Sequence, residues 1–160
     1  MPEGPARFSF EYGSPFKVTE HSISENYHLS AVTLIDPIQE DIKDYPSIVV
    51  LINHKPDEYS PSAGFTLERW LTKASWSSSC KLWDKSEITV DNITAKQAIY
   101  SETNLLPIDR DGGEAPLEIW RRVHFDYNEM IWTITLNSNY ITYDIDNKIF
   151  EHVLQTFKIW

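Results

Sequence analysis

From Leu117 to Leu136 the chain carries one pattern that leaves few folds open to it. Leu117, Ile119, Val123, Phe125 and Tyr127 alternate with Glu118, Trp120, Arg122, His124 and Asp126, and after Asn128-Glu129 a second β-prone run continues from Met130 to Leu136. Period-two alternation puts successive side chains on opposite faces of a strand, and two such runs joined by two turn residues pair as an antiparallel hairpin. Arg121 is the one residue that breaks the apolar face of the first run.

The rest of the chain supplies partners for that hairpin. Phe8, Phe10 and Tyr12 alternate with polar residues as a short strand that Gly13-Ser14-Pro15 ends, and Phe16 to Thr19 restarts as a second. Leu29 to Ile35 is β-branched and apolar and closes at Asp36-Pro37, while Ile48 to Ile52 is five consecutive aliphatic residues, the composition of a central strand buried on both faces. Residues 53–64 hold two prolines and read as a surface loop. Thr66 can cap a helix in which Leu67, Trp70, Leu71 and Ala74 fall on one face. Glu87 to Val90 and Thr94 to Tyr100 flank an Asp91-Asn92 turn. Finally Ile149, Phe150, Val153, Leu154 and Phe157 mark a closing amphipathic helix, with Asp144 or Asp146 available as its cap. Strands interrupted by only two helices do not alternate as βαβ units, so the fold expected is α+β, a mainly antiparallel sheet flanked by helices.

At 160 residues, with 41% hydrophobic and 13% aromatic content, the chain can fill one core without disulfides or metal. One domain is expected over residues 8–160, with Met1 to Arg7 as a flexible linker. Fourteen basic against 24 acidic residues give a formal charge of -10, which repels phosphate backbones and excludes nucleic acid as a natural partner. Cys80 is alone, so no intramolecular disulfide or CxxC framework can form. No run of about 20 apolar residues marks a transmembrane segment.

Candidate chemistry is sparse. Five histidines are dispersed without an HExxH pair, so no metal site and no cofactor are expected, and the phosphate-loop, dinucleotide and Gly-x-Ser-x-Gly patterns do not occur. Asp109 to Glu114 places three carboxylates around two glycines without the spacing of a calcium loop, and a solvated turn is the simpler reading. The second face of the Leu117–Tyr127 strand is richer. Trp120, Arg122 and His124 combine an aromatic surface with cationic groups able to stack on and hydrogen-bond a planar or anionic ligand. The plainer alternative is that this face packs on neighbours. Trp76, Trp83 and Trp160 stand near element ends, where a contact role is open to them.

Several of these stretches together resemble the PsbP family, the extrinsic proteins of photosystem II and their bacterial relatives. They are Phe8-Ser9-Phe10-Glu11-Tyr12 followed by Pro15-Phe16, the helix start Thr66-Leu67-Glu68, Asp91-Asn92-Ile93-Thr94-Ala95 between two strands, and the closing Ile149 to Phe157 helix. The resemblance implies an α/β/α sandwich and a non-enzymatic accessory or binding module outside the cytoplasm, secreted or anchored by lipid. Its partner would be a protein or a small ligand met through a sheet face or groove. Two other readings are kept open: a small enzyme with His124 as general base oriented by Glu118 or Asp126, and a homodimer formed through sheet edges.

Overall fold

The computed structural model describes residues 8–13, 16–24, 29–35, 46–54, 80–102 and 118–160. In chain order these form β1 (Phe8–Ser9), β2 (Lys17–Ser24), β3 (Leu29–Ile35), β4 (Ser47–His54), β5 (Cys80–Val90), β6 (Ile93–Glu102), β7 (Glu118–Tyr127), β8 (Met130–Asn139), α1 (Tyr143–Thr156) and β9 (Lys158–Ile159). Seven strands make one sheet in the order β2-β3-β4-β8-β7-β6-β5, every neighbouring pair antiparallel, and β1 with β9 forms a separate two-stranded ribbon.

The two hairpins expected from the sequence are present. Asp91 and Asn92 turn at φ 47° and 64°, and Asn128 and Glu129 at φ 49° and 61°. Positive φ at both central residues is the turn whose twist matches that of the strands it joins, and Asp and Asn tolerate it at low cost. The second turn sets Tyr127 opposite Met130, and from there the register runs without interruption to Glu118 opposite Asn139.

β8 lies in the middle of the sheet between β4 and β7, and it is buried nearly from end to end. Its Trp132, Ile134 and Leu136 share a face with Ile48, Val50 and Ile52 of β4 and with Val123 and Phe125 of β7. α1 covers that face, bringing Phe150, Val153, Leu154 and Phe157 into the same core. Each buried aliphatic or aromatic side chain there stabilises the fold by about 1.5–3 kcal/mol relative to exposure.

Some expectations are corrected. Residues Phe8 to Tyr12 pair over only two positions, and they do so with the end of the chain rather than with the main sheet. The strand expected from Phe16 to Thr19 runs on to Ser24, and the one expected from Glu87 begins already at Cys80. The helix cap is Thr142, not Asp144 or Asp146, which both lie inside the first turn. Asp146 is buried and accepts hydrogen bonds from Ser138 Oγ at 2.6 Å and Thr142 Oγ1 at 2.7 Å, so its carboxylate fastens the helix start to the end of β8. Among the described residues one helix packs on the sheet. The second expected helix, Thr66 to Ala74, lies outside them, as do the 55–64 part of the predicted loop, the Asp109 to Glu114 turn, Trp76 and the Met1 to Arg7 linker.

Candidate functional site

β7 divides its side chains as the alternation requires. Ile119, Arg121, Val123 and Phe125 are buried toward α1, whereas Glu118, Trp120, Arg122 and His124 are half-buried on the opposite face and Asp126 is exposed there. Arg121, the interruption in the apolar face, is 4% exposed. Its Nε and Nη2 donate to Gln97 Oε1 at 2.9 and 2.7 Å, and its Nη1 donates to Asn147 Oδ1 at 2.8 Å and Glu151 Oε1 at 2.5 Å. The guanidinium carbon also lies 5.3 Å from the Phe150 ring centre. A buried charge persists only when its donors are satisfied, and here the acceptors come from both β6 and α1. Arg121 therefore joins helix to sheet and does not reach the candidate site.

The face that carries the site is assembled from three strands. Trp120 stands opposite Tyr100 of β6, Arg122 opposite Thr135 of β8, and His124 opposite Thr133. The Tyr100 and Trp120 rings stack with centroids 6.4 Å apart and planes 6° from parallel. Arg122 Cζ lies 5.2 Å from the Trp120 ring centre, and Arg122 Nε donates to the Tyr100 hydroxyl at 2.7 Å. One hydrogen bond and one ring contact thus fix the guanidinium over an indole that is itself stacked on Tyr100. His124 Nδ1 meets Thr133 Oγ1 at 3.1 Å. Trp120 Nε1 is buried and has no hydrogen-bond partner among the described residues.

Trp120, Arg122 and His124 are thus brought onto one face, and Trp120 and Arg122 into direct contact. Tyr100, Thr133 and Thr135, which the sequence did not single out, are buried beside them on the same face. The two threonines could have been found by counting outward from the Asn128-Glu129 turn, since that fixes their register against β7. No comparable signal gave Tyr100, because fifteen residues of sequence, 103–117, stand between β6 and β7, and a spacing of that length does not fix a register. Among the described residues no group of three or more His, Cys, Asp or Glu side chains could hold a metal ion. None of their helices is long and apolar enough to cross a membrane.

A second concentration of contact-forming side chains lies at one end of the sheet. Val18, Leu82, Trp83, Tyr140, Ile141 and Ile145 are exposed there, with Ile141 at 84%. The turn that carries Tyr140 and Ile141 is held by Asn139 Oδ1, which accepts from the backbone N–H of Ile141 at 2.9 Å and of Thr142 at 3.0 Å. Trp83 Nε1 donates to Ser101 Oγ at 2.9 Å, which pins the indole on the edge strand. Trp160 is 73% exposed.

Solved structures of PsbP-like fold superpose on nearly the whole chain. The cell-envelope protein LpqN of Mycobacterium tuberculosis matches with a TM-score of 0.64 at 12% identity, over 98% of this chain and 85% of its own. Cyanobacterial PsbP (CyanoP) from Synechocystis matches with a TM-score of 0.53 at 13% identity, over 100% of this chain and 96% of its own. No family model matches the sequence, and no curated protein is similar to it. Likeness at such identities extends to the fold.

Proposed function

We propose that the chain is a non-enzymatic accessory module of the extracytoplasmic space that binds a planar or anionic group on the sheet face around Trp120, Arg122 and His124. The observation that carries this reading is the fixed stack of Tyr100, Trp120 and Arg122. An indole offers a planar surface, and a guanidinium beside it offers directional donors to a carboxylate or phosphate, so one face can take both parts of such a ligand. The involvement of LpqN in cell envelope biogenesis supports the compartment. The same reading admits an anchor segment, lipid-bearing or otherwise, ahead of the residues described.

An enzyme built on His124 would need a carboxylate to orient the imidazole. Of the two carboxylates on its face, Asp126 stands two positions along β7 and Glu118 six positions, about 20 Å away, while Nδ1 of His124 meets the Thr133 hydroxyl. The test is a 1H–15N titration of the labelled protein with a fragment library of aromatic carboxylates and phosphates. Saturable shifts of the Trp120 indole N–H and of the His124 signals are expected, with the His124 shifts lost in Trp120→Ala and both lost in Arg122→Met. A spectrum unchanged throughout, in a protein that remains folded, overturns the assignment of a small-ligand face.

A further inference from the structure

The N-terminal segment lies on an aromatic floor that the rest of the chain builds without it. The Phe8 ring stacks on Phe157 at 5.6 Å and meets Trp132 edge-on at 5.7 Å, and Phe10 stacks on Phe157 at 5.9 Å. The floor beneath them belongs to other elements. Trp132 and Phe125 come from the central strands β8 and β7 and stack at 5.9 Å, while Phe157 follows α1 and is fully buried. β9, which pairs with Phe8 and Ser9, is itself fastened elsewhere: Asp91 accepts from Lys158 Nζ at 2.8 Å and from the Ile159 N–H at 2.9 Å.

The bonds that hold the segment are few and wet by comparison. Among the described residues they are the two-residue pairing with β9, the exposed bonds from Glu11 N–H to Thr156 Oγ1 at 2.9 Å and from that hydroxyl to the Glu11 carbonyl at 3.4 Å, the exposed Glu11–His152 pair at 3.3 Å, and the bond from Phe16 N–H to the Gly13 carbonyl at 3.2 Å. Segments with few buried contacts and exposed hydrogen bonds open well before the whole fold does. Gly13-Ser14-Pro15 separates the segment from Phe16, which is buried in the main core. A strap of this kind can leave while both its floor and its pairing strand stay in place.

We propose that Phe8 to Tyr12 is exchanged between two copies of the chain, each strap lying on the other copy's Trp132–Phe157 floor and pairing with the other copy's β9. The occupant the floor accepts is shown by the one already seated on it, an aromatic-x-aromatic strand. Exchange of an identical element repeats every such contact in the dimer, so concentration and hinge geometry set the balance. A net charge of -10 on each copy opposes association, so added salt shifts the balance toward the exchanged dimer.

The test uses the full chain in a Cys80→Ser background, where introduced thiols are alone. Ser9 and Lys158 stand opposite each other in the β1–β9 pair. A chain with Ser9→Cys is mixed with one carrying Lys158→Cys and oxidised. A disulfide-linked heterodimer is expected, increasing with protein and salt concentration. It should disappear when Phe8→Ser and Phe10→Ser are added to the first chain, whose remaining NMR spectrum stays folded. The proposal is overturned if cross-linking does not exceed that of Ser9→Cys mixed with Tyr140→Cys, at the opposite end of the sheet from β9. It is overturned equally if the doubly substituted chain forms no intramolecular disulfide at low concentration, or if the unmodified chain sediments as a monomer up to millimolar concentration.

Discussion

Arg121 decides more about this fold than any other polar residue. Four of its N–H donors are taken by Gln97, Asn147 and Glu151, and Gln97 passes the chain of bonds on through its Nε2 to Ser86 Oγ at 3.0 Å. Arg121→Leu would leave those acceptors facing an apolar group, and a loss of about 3 kcal/mol is expected in urea unfolding. Arg121→Lys should recover little of it, because a single ammonium cannot reach β6 and α1 together as the planar fork does. Glu151→Gln should cost under about 1 kcal/mol, since that carboxylate is half exposed. Asp91 contributes in a way that depends on pH. The hydrogen bond from Lys158, and then that from the Ile159 N–H, hold its carboxyl below the usual carboxylate range. A pKa depressed in the folded state means that the folded protein favours the charged form. Its contribution is therefore complete above the ordinary value of about 4 and is lost as pH falls through the depressed one. Asp91→Asn should lower stability at neutral pH and flatten its decline below about pH 4, read from denaturation midpoints across an acid series.

At the scale of elements, what the sequence disclosed depended on whether a strand had two neighbours and whether a tight turn fixed its register. β3 was legible to its ends, and β4 and β8 at their centres, because Leu29 to Ile35, Ile48 to Ile52 and Met130 to Leu136 are rich in β-branched and apolar residues, the composition of strands with a neighbour on each side. The first half of β5 was not, since Cys80-Lys81-Leu82-Trp83-Asp84-Lys85-Ser86 lies at the edge of the sheet, exposed along most of its length, and nothing forces its side chains to alternate. A register shift between Leu82 and Asp84 further blurs the pattern there. The helix cap was misplaced because Thr142, Asp144 and Asp146 all suit the role by residue type, and only the tertiary bond from Ser138 draws Asp146 inward. The Asn128-Glu129 turn was legible although its second residue is a poor choice. Glu129 sits at φ 61°, where a side chain with a Cβ is strained and glycine is not. Glu129→Gly should therefore raise stability by about 0.5–1 kcal/mol, measured as a higher urea midpoint at unchanged slope.

Across the whole molecule the register of the sheet gathers features that the linear sequence scatters. Lys17, Ile35, Ser47, Asn137, Trp120, Tyr100 and Leu82 lie on one continuous rung through all seven strands. Val18, Leu82 and Trp83 therefore come to the same end of the sheet as the turn that carries Tyr140, Ile141 and Ile145. Six of the eight exposed large hydrophobic side chains among the described residues are at that end, and no local pattern could have shown this because β2, which carries Val18, and β5, which carries Leu82 and Trp83, are related only through six strand pairings. The Trp120–Arg122 surface and this apolar rim begin on the same rung, so a macromolecule docked at the end of the sheet would reach both. Side chains kept exposed for contact differ from those kept for stability in what their removal does. Replacing Tyr140, Ile141 and Ile145 together by serine should move the unfolding free energy by no more than about 0.5 kcal/mol per site, because little of their surface is buried within the chain. The same variant should elute markedly earlier from a hydrophobic-interaction column at high salt, as the removal of a contiguous apolar patch requires. A loss of several kcal/mol would instead show that these three side chains belong to the core, and the end of the sheet would then have no claim to be a docking surface.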